Sequence, residues 1–216
     1  METFARDRDL AILEPWLYRD MAWLGQTLCR GTANVSGTIL EATAVDNAFT
    51  AAPVEDGMVV VVGGAVLEVR GVLGETFLEV SMLRSSRTED SIAPGTITGA
   101  TFHLSTFKPQ IGVVHRQVLA ALGLRPMGEP LDERMSELAI LNPRDLDLLE
   151  THGALHIALA AGGALQDRLA PINVRAERHK RLFGDERAKT TVRIDTDGDG
   201  AADVVKGLRV GRFVVG

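Results

Sequence analysis

The chain has a single cysteine in 216 residues, Cys29, so no internal disulfide framework holds it together. A lone thiol suits a reducing compartment, where its plainest role is a small apolar packing group. Aromatic residues make up only 5%, which argues against a surface that stacks nucleobases or a sugar cleft lined with rings. Basic residues are outnumbered, 23 Lys and Arg against 29 Asp and Glu, leaving a formal net charge of -6. Such a surface repels polyanions, so neither general nor sequence-specific nucleic-acid binding is expected. Nowhere do roughly 18 apolar residues run together, and the first residues, Met1-Glu-Thr-Phe-Ala-Arg-Asp-Arg-Asp9, carry charges where a secretion signal needs an apolar stretch. A membrane partner is not expected, and the chain reads as soluble and unexported.

What is present is apolar material: 45% hydrophobic residues, enough for one large domain or two small ones. Pro15 is a good first helical residue, and Leu17, Met21, Leu24 and Leu28 form one stripe, so a helix is predicted from Pro15 to Arg30, stopped by Gly31. From Asn34 to Thr106 the period changes to two. One strand is predicted through Val35, Gly37, Ile39, Leu40 and Ala42. Met58–Val62 is a short buried strand, Gly63-Gly64 a hairpin turn, and Val66–Arg70, Phe77–Met82 and Ile97–Leu104 are further strands. Five or more short strands with tight turns read as a small antiparallel barrel or sandwich. Arg84–Gly95 reads as an exposed polar loop.

Helical periodicity returns at Pro109, with Ile111, Val114, Val118, Leu119 and Leu122 on one face and Gly123 as the stop. A loop with Pro126, Gly128 and Pro130 precedes a short amphipathic piece, Leu131–Leu141. Asn142-Pro143 then reads as a cap and first residue of a helix to about Leu169, nearly uncharged and rich in Gly and Ala between Gly153 and Leu165. Such a helix needs neighbours on most sides, from elsewhere in the fold or from another subunit. Asn173 caps a charged surface helix, Val174–Lys189, with a narrow apolar strip through Val174, Leu182 and Phe183. Thr191–Ile194 and Leu208–Val215 look like strands of a hairpin.

Candidate chemistry is thin, and no catalytic residue stands out. Asp195-Thr-Asp-Gly-Asp-Gly-Ala-Ala-Asp203 matches the first half of a calcium loop: side-chain oxygens from Asp195, Asp197 and Asp199, a sharp turn at Gly200, the Ala201 carbonyl, then Asp203. The closing bidentate Glu is replaced by Lys206, a cation that would repel the ion. A hairpin turn built on Asp and Gly is the plainer reading, with calcium as the alternative. His152 and His156 share the spacing of a two-histidine zinc pair, but Gly153 stands where the metalloprotease pattern has Glu and no third ligand is evident, so packed histidines are the simpler account. His115 is likewise unaccompanied, and Cys29 has no base beside it in sequence. The basic run Arg175–Arg181 reads as a solvated helix face. Gly63-Gly64 and Gly162-Gly163 match no phosphate-loop spacing.

The order of pieces resembles the head–tail connector, or adaptor, proteins of tailed bacteriophages and prophage-like particles. The residues that carry the resemblance are Asp9–Asp20, the β insertion, Phe107–Leu119, the Ala-rich helix, the charged helix with Arg178-His-Lys-Arg-Leu-Phe183, and the closing Ile194–Asp203 hairpin. It implies an α+β fold in four parts: an N-terminal helix (1–32), an inserted small antiparallel β barrel or sandwich (33–107), a helical connector core (108–190) and a C-terminal β hairpin or arm (191–216). It also implies a noncatalytic virion subunit, assembled in the host cytoplasm, that forms a homo-oligomeric ring of about a dozen copies. The ring would dock beneath the portal protein and meet a downstream tail or neck protein. The alternative is a calcium-stabilised binding module that uses the β region for recognition.

Overall fold

The computed structural model describes residues 3–126, 136–163 and 171–208. The fold is α+β and falls into two compact units, residues 6–108 and residues 1–5 with 109–216. In the first, α1 (Asp7–Leu13) and α2 (Trp16–Asp20) precede a 3-10 turn at Ala22–Leu24. Six strands follow: β1 (Gln26–Ser36), β2 (Ile39–Val45), β3 (Val59–Val62), β4 (Ala65–Val72), β5 (Phe77–Met82) and β6 (Ile97–Thr106). They close an antiparallel barrel in the order β1-β2-β5-β4-β3-β6. Inward residues alternate along the strands, as the two-residue period requires. Val35, Leu40, Val60, Leu67, Leu78 and Leu104 are all wholly buried. Phe49, Ala52 and Met58, from the β2–β3 connection, join the same cluster. Side chains therefore fill the barrel, as in other barrels this narrow.

Of the expected helix from Pro15 to Arg30 only α2, Trp16–Asp20, and the 3-10 turn after it form. Glu14 is pushed out of helical geometry before the proline, with φ -140° and ψ 69°. Gly25 is extended at φ -95° and ψ -166°, and β1 begins one residue later. The apolar stripe was real only at Leu17 and Met21, which are buried, whereas Leu28 lies in a strand paired on both sides. Pairing along eleven residues outweighs a weak local helical preference. Gly31 is not a helix stop. It sits where β2 crosses closely, and a Cβ there would come 1.9 Å from the Ala44 carbonyl oxygen. The single strand expected through Val35–Ala42 is a hairpin, turned by Gly37 at φ 59°. The Gly63-Gly64 turn forms with both residues at positive φ, 56° and 83°.

Within this unit the ends are tied by charge. Asp7 is buried, and its carboxylate accepts from Tyr18 Oη at 2.7 Å, the Phe107 amide at 2.7 Å and Thr106 Oγ1 at 2.6 Å. Burial nevertheless pushes its pKa up to about 6, the hydrogen bonds offsetting only part of the desolvation. Glu68, on β4, accepts from Arg84 Nη2 at 2.7 Å and forms an ion pair with Arg8, whose Nε lies 3.0 Å from it. Arg84 is wholly buried and also donates to the Arg87 carbonyl. The polar loop that begins there is thus anchored to the barrel by its first residue.

In the second unit α3 (Lys108–Leu122) runs as expected, its whole predicted face is buried, and Gly123 ends it at φ 73°. The expected loop at 126–130 and amphipathic piece at 131–141 lie largely outside the described residues; the described part holds a 3-10 turn, Glu137–Ala139. Pro143–Leu146 is another 3-10 turn, and α4 follows over Asp147–Gly163. The expected continuation of that helix to Leu169 lies outside the described residues. Asn142 does not cap it. Its side chain instead donates to the Thr191 carbonyl and accepts from the Arg193 amide, which moors the hairpin strand β7 (Thr191–Ile194).

Helix α5 (Pro171–Lys189) already includes Asn173, which is therefore not its cap. Its buried strip is Ile172, Ala176 and His179, spaced by four and three, while Val174 is 66% exposed. Strand β8 (Val204–Gly207) pairs with β7, Ile194 opposite Val204. The strand seen opposite β7 is thus Val204–Gly207, while the predicted Leu208–Val215 lies, from residue 209 on, outside the described residues.

Candidate functional site

The groups singled out in the sequence that could act on a ligand lie mainly in the unit of α3, α4, α5 and the β7–β8 hairpin. Small residues let its helices meet closely. A Cβ on Gly153 would sit 2.7 Å from a Val114 methyl and 3.1 Å from the Phe183 ring, and one on Gly163 would sit 1.8 Å from Asn173 Oδ1. The neighbours the Ala-rich helix required come from its own chain: Ala154, Leu155, Ala158 and Leu159 are fully buried.

The acidic loop joins β7 to β8. Three of its carboxylates, on Asp195, Asp197 and Asp203, place one oxygen each within 4.8 Å of one another. Asp199 does not join them, and its Oδ1 instead accepts from the Ala201 amide at 2.7 Å. Asp195 accepts from the amides of Gly198 at 2.6 Å and Gly200 at 2.8 Å, and both glycines take positive φ. Those amides hold the Asp195 carboxyl below the usual carboxylate range, and the Thr196 hydroxyl and amide do the same for Asp203. A turn stabilised by side-chain acceptors is complete as it stands. The three clustered oxygens also form the donor set a hard divalent cation takes. The Lys206 ammonium donates to the Leu122 carbonyl at 2.7 Å, at the C-terminal end of α3, where a cation is favoured.

The histidines separate. His115 Nδ1 meets Glu150 Oε1 at 2.7 Å, both fully buried, and the other oxygen of Glu150 accepts from the Ala5 amide at 2.9 Å. The Phe4 ring lies 4.8 Å from the imidazole. His152 does not pair with His156; its Nδ1 stands 3.1 Å from Nδ1 of His179 on α5. His156 instead meets the Ala176 carbonyl at 3.2 Å. Cys29 is buried in the barrel, and burial pushes its thiol up to about 11, far from a reactive thiolate. Arg175, Arg178, Lys180 and Arg181 are exposed, as a solvated helix face would have them.

Sequence reasoning missed Glu150, His179, Glu68 and Asp7. For Glu150 the signal was an acid at the edge of an uncharged run. His179 had one in the spacing 172, 176, 179, hidden by the charges around it. A groove of about 320 Å³ also opens in this unit, with Ala120 and Ala121 of α3, Leu149 of α4, and Phe183 and Arg187 of α5 among its walls. Arg187 Nε there donates to the Leu208 carbonyl at 3.0 Å. Comparison with known proteins brings no match: no family model, no curated protein and no solved structure is similar to this chain.

Proposed function

We propose that the chain is a noncatalytic structural subunit of a phage head–tail connector, a homo-oligomeric ring that docks beneath the portal and joins capsid to tail in the virion. The observation that carries the reading is the use made of buried polar groups. Glu150 with His115, His152 with His179, and Glu68 with Arg8 and Arg84 are all engaged in pairs that tie one element to another. That is the economy of a scaffold, in which buried charge specifies shape. The remaining apolar surface suits assembly: Leu148 is 46% exposed and Val205 62%. A net charge of -6 suits a channel through which DNA passes without sticking.

Sedimentation and negative-stain imaging of the purified protein, alone and with the portal protein of the same particle, test the proposal. Closed rings, or a portal-bound ring, are expected. A chain that stays monomeric at every concentration and ignores the portal overturns it. The second reading, a calcium-stabilised binding module that recognises its target through the barrel, is favoured by the convergence of Asp195, Asp197 and Asp203. A calcium-dependent, monodisperse monomer would support it instead.

A further inference from the structure

The groove of about 320 Å³ in the helical unit reaches the lower end of the size range of small-molecule sites. We propose that it binds a medium-chain fatty acid, with the carboxylate held by Arg187 and the hydrocarbon chain laid along Ala120, Ala121 and Phe183. The groove follows from residue size. On α3, Ala120 and Ala121 are small and exposed, while Val118 beside them is buried. On α5, Phe183 and Arg187 stand one turn apart, so both side chains belong to one wall. Leu149 of α4 and Leu208, both buried, supply the floor. A dry apolar cavity of about 150 Å³ holds a benzene ring, so this volume accommodates roughly a dozen heavy atoms, the size of octanoate.

The charge in the wall selects the head group. Arg187 lies in the last turn of α5, and its Nε donates to the Leu208 carbonyl at 3.0 Å, which fixes the guanidinium against the groove. Its two Nη groups meet no acceptor among the described residues. They form a planar fork of the kind that takes both oxygens of a carboxylate. Glu186, the preceding residue, pairs with Lys189 at 3.3 Å, and no residue lining the groove is acidic, so no carboxylate in the wall competes for the fork. The other polar side chain in the wall is Gln117, which is exposed. A peptide laid here would bring amide and carbonyl groups that these walls leave unsatisfied, whereas a hydrocarbon chain brings none. The inference goes beyond the connector reading and does not depend on it.

Calorimetry and methyl chemical shifts of the full chain, titrated with octanoate, test the site. Octanoate is expected to bind with a Kd of about 1 mM or tighter and to shift the methyls of Val118, Leu149 and Leu208. It should bind at least about fivefold more tightly than octanol, which has the same chain without the charge, and Arg187→Gln should remove that preference. Ala121→Trp, at an exposed position, fills the groove and should abolish binding of both. No binding at about ten times the expected Kd, equal affinity for octanoate and octanol, or tighter binding of an apolar tetrapeptide overturns the proposal. So does self-association of the chain that Ala121→Trp abolishes, which would make the groove a contact between copies. Should the variants not fold, the comparison of octanoate with octanol on the native chain decides, and shifts that spare Leu149 and Leu208 overturn the site.

Discussion

At the scale of the residue, Asp7 shows how burial and hydrogen bonding compete at one carboxylate. Its pKa is raised to about 6 although three donors favour the ion. The native state therefore holds a proton that the unfolded state has already released. Stability of the barrel unit should rise as pH falls from about 6 to about 4, by roughly 3 kcal/mol for a two-unit shift. Both tryptophans, Trp16 and Trp23, lie in the barrel unit. Denaturant melts followed by their fluorescence would read that unit alone, and Asp7→Asn should remove the pH dependence. None of this was visible beforehand, because Asp7 meets Thr106 and Phe107 only after about a hundred residues have folded between them. The loop aspartates were legible because their partners lie within eight residues of one another.

Elements with a strong local signature were read correctly from the sequence, and strand β1, decided by distant pairing against its local signature, was not. Helix α3 and the β3–β4 hairpin carry their own instructions, an apolar face with a stop in one and Gly63-Gly64 in the other. Strand β1 carries a helical stripe at its approach and becomes a strand because β2 and β6 claim both its edges. Gly31 marks the difference. Gly31→Ala would be harmless after a helix, but in the strand it drives a methyl into the Ala44 carbonyl. A loss of about 3 kcal/mol is expected in the tryptophan-monitored melt. The acidic hairpin loop has its own test. If its three clustered carboxylates take calcium, millimolar calcium should raise the melting temperature by several degrees over a chelator, and Asp195→Asn should abolish the rise. Identical melting curves would leave a turn and nothing more.

For the whole molecule, composition conveyed a packed α+β chain without disulfides. What the sequence hid was the traffic of the chain between its parts. Residues 1–5 group with the helices, and Phe4 lies in their core, a long-range contact with no local trace. The assembly reading is best probed at Leu148 and Val174, since both are exposed and charge there should leave the fold intact. Leu148→Asp with Val174→Asp should shift any ring toward monomers at least tenfold in concentration, at unchanged melting temperature. The same substitutions in Ala158, which is buried, would report folding instead.

Where the barrel unit begins and ends, a single carboxylate grips both strands of chain: Asp7 holds the Phe107 amide. The hundred residues between form a cassette entered and left through one doorway. Evolution or an engineer could lift it out, or swap in another, with a bridge of only a few residues and little loop-closure entropy.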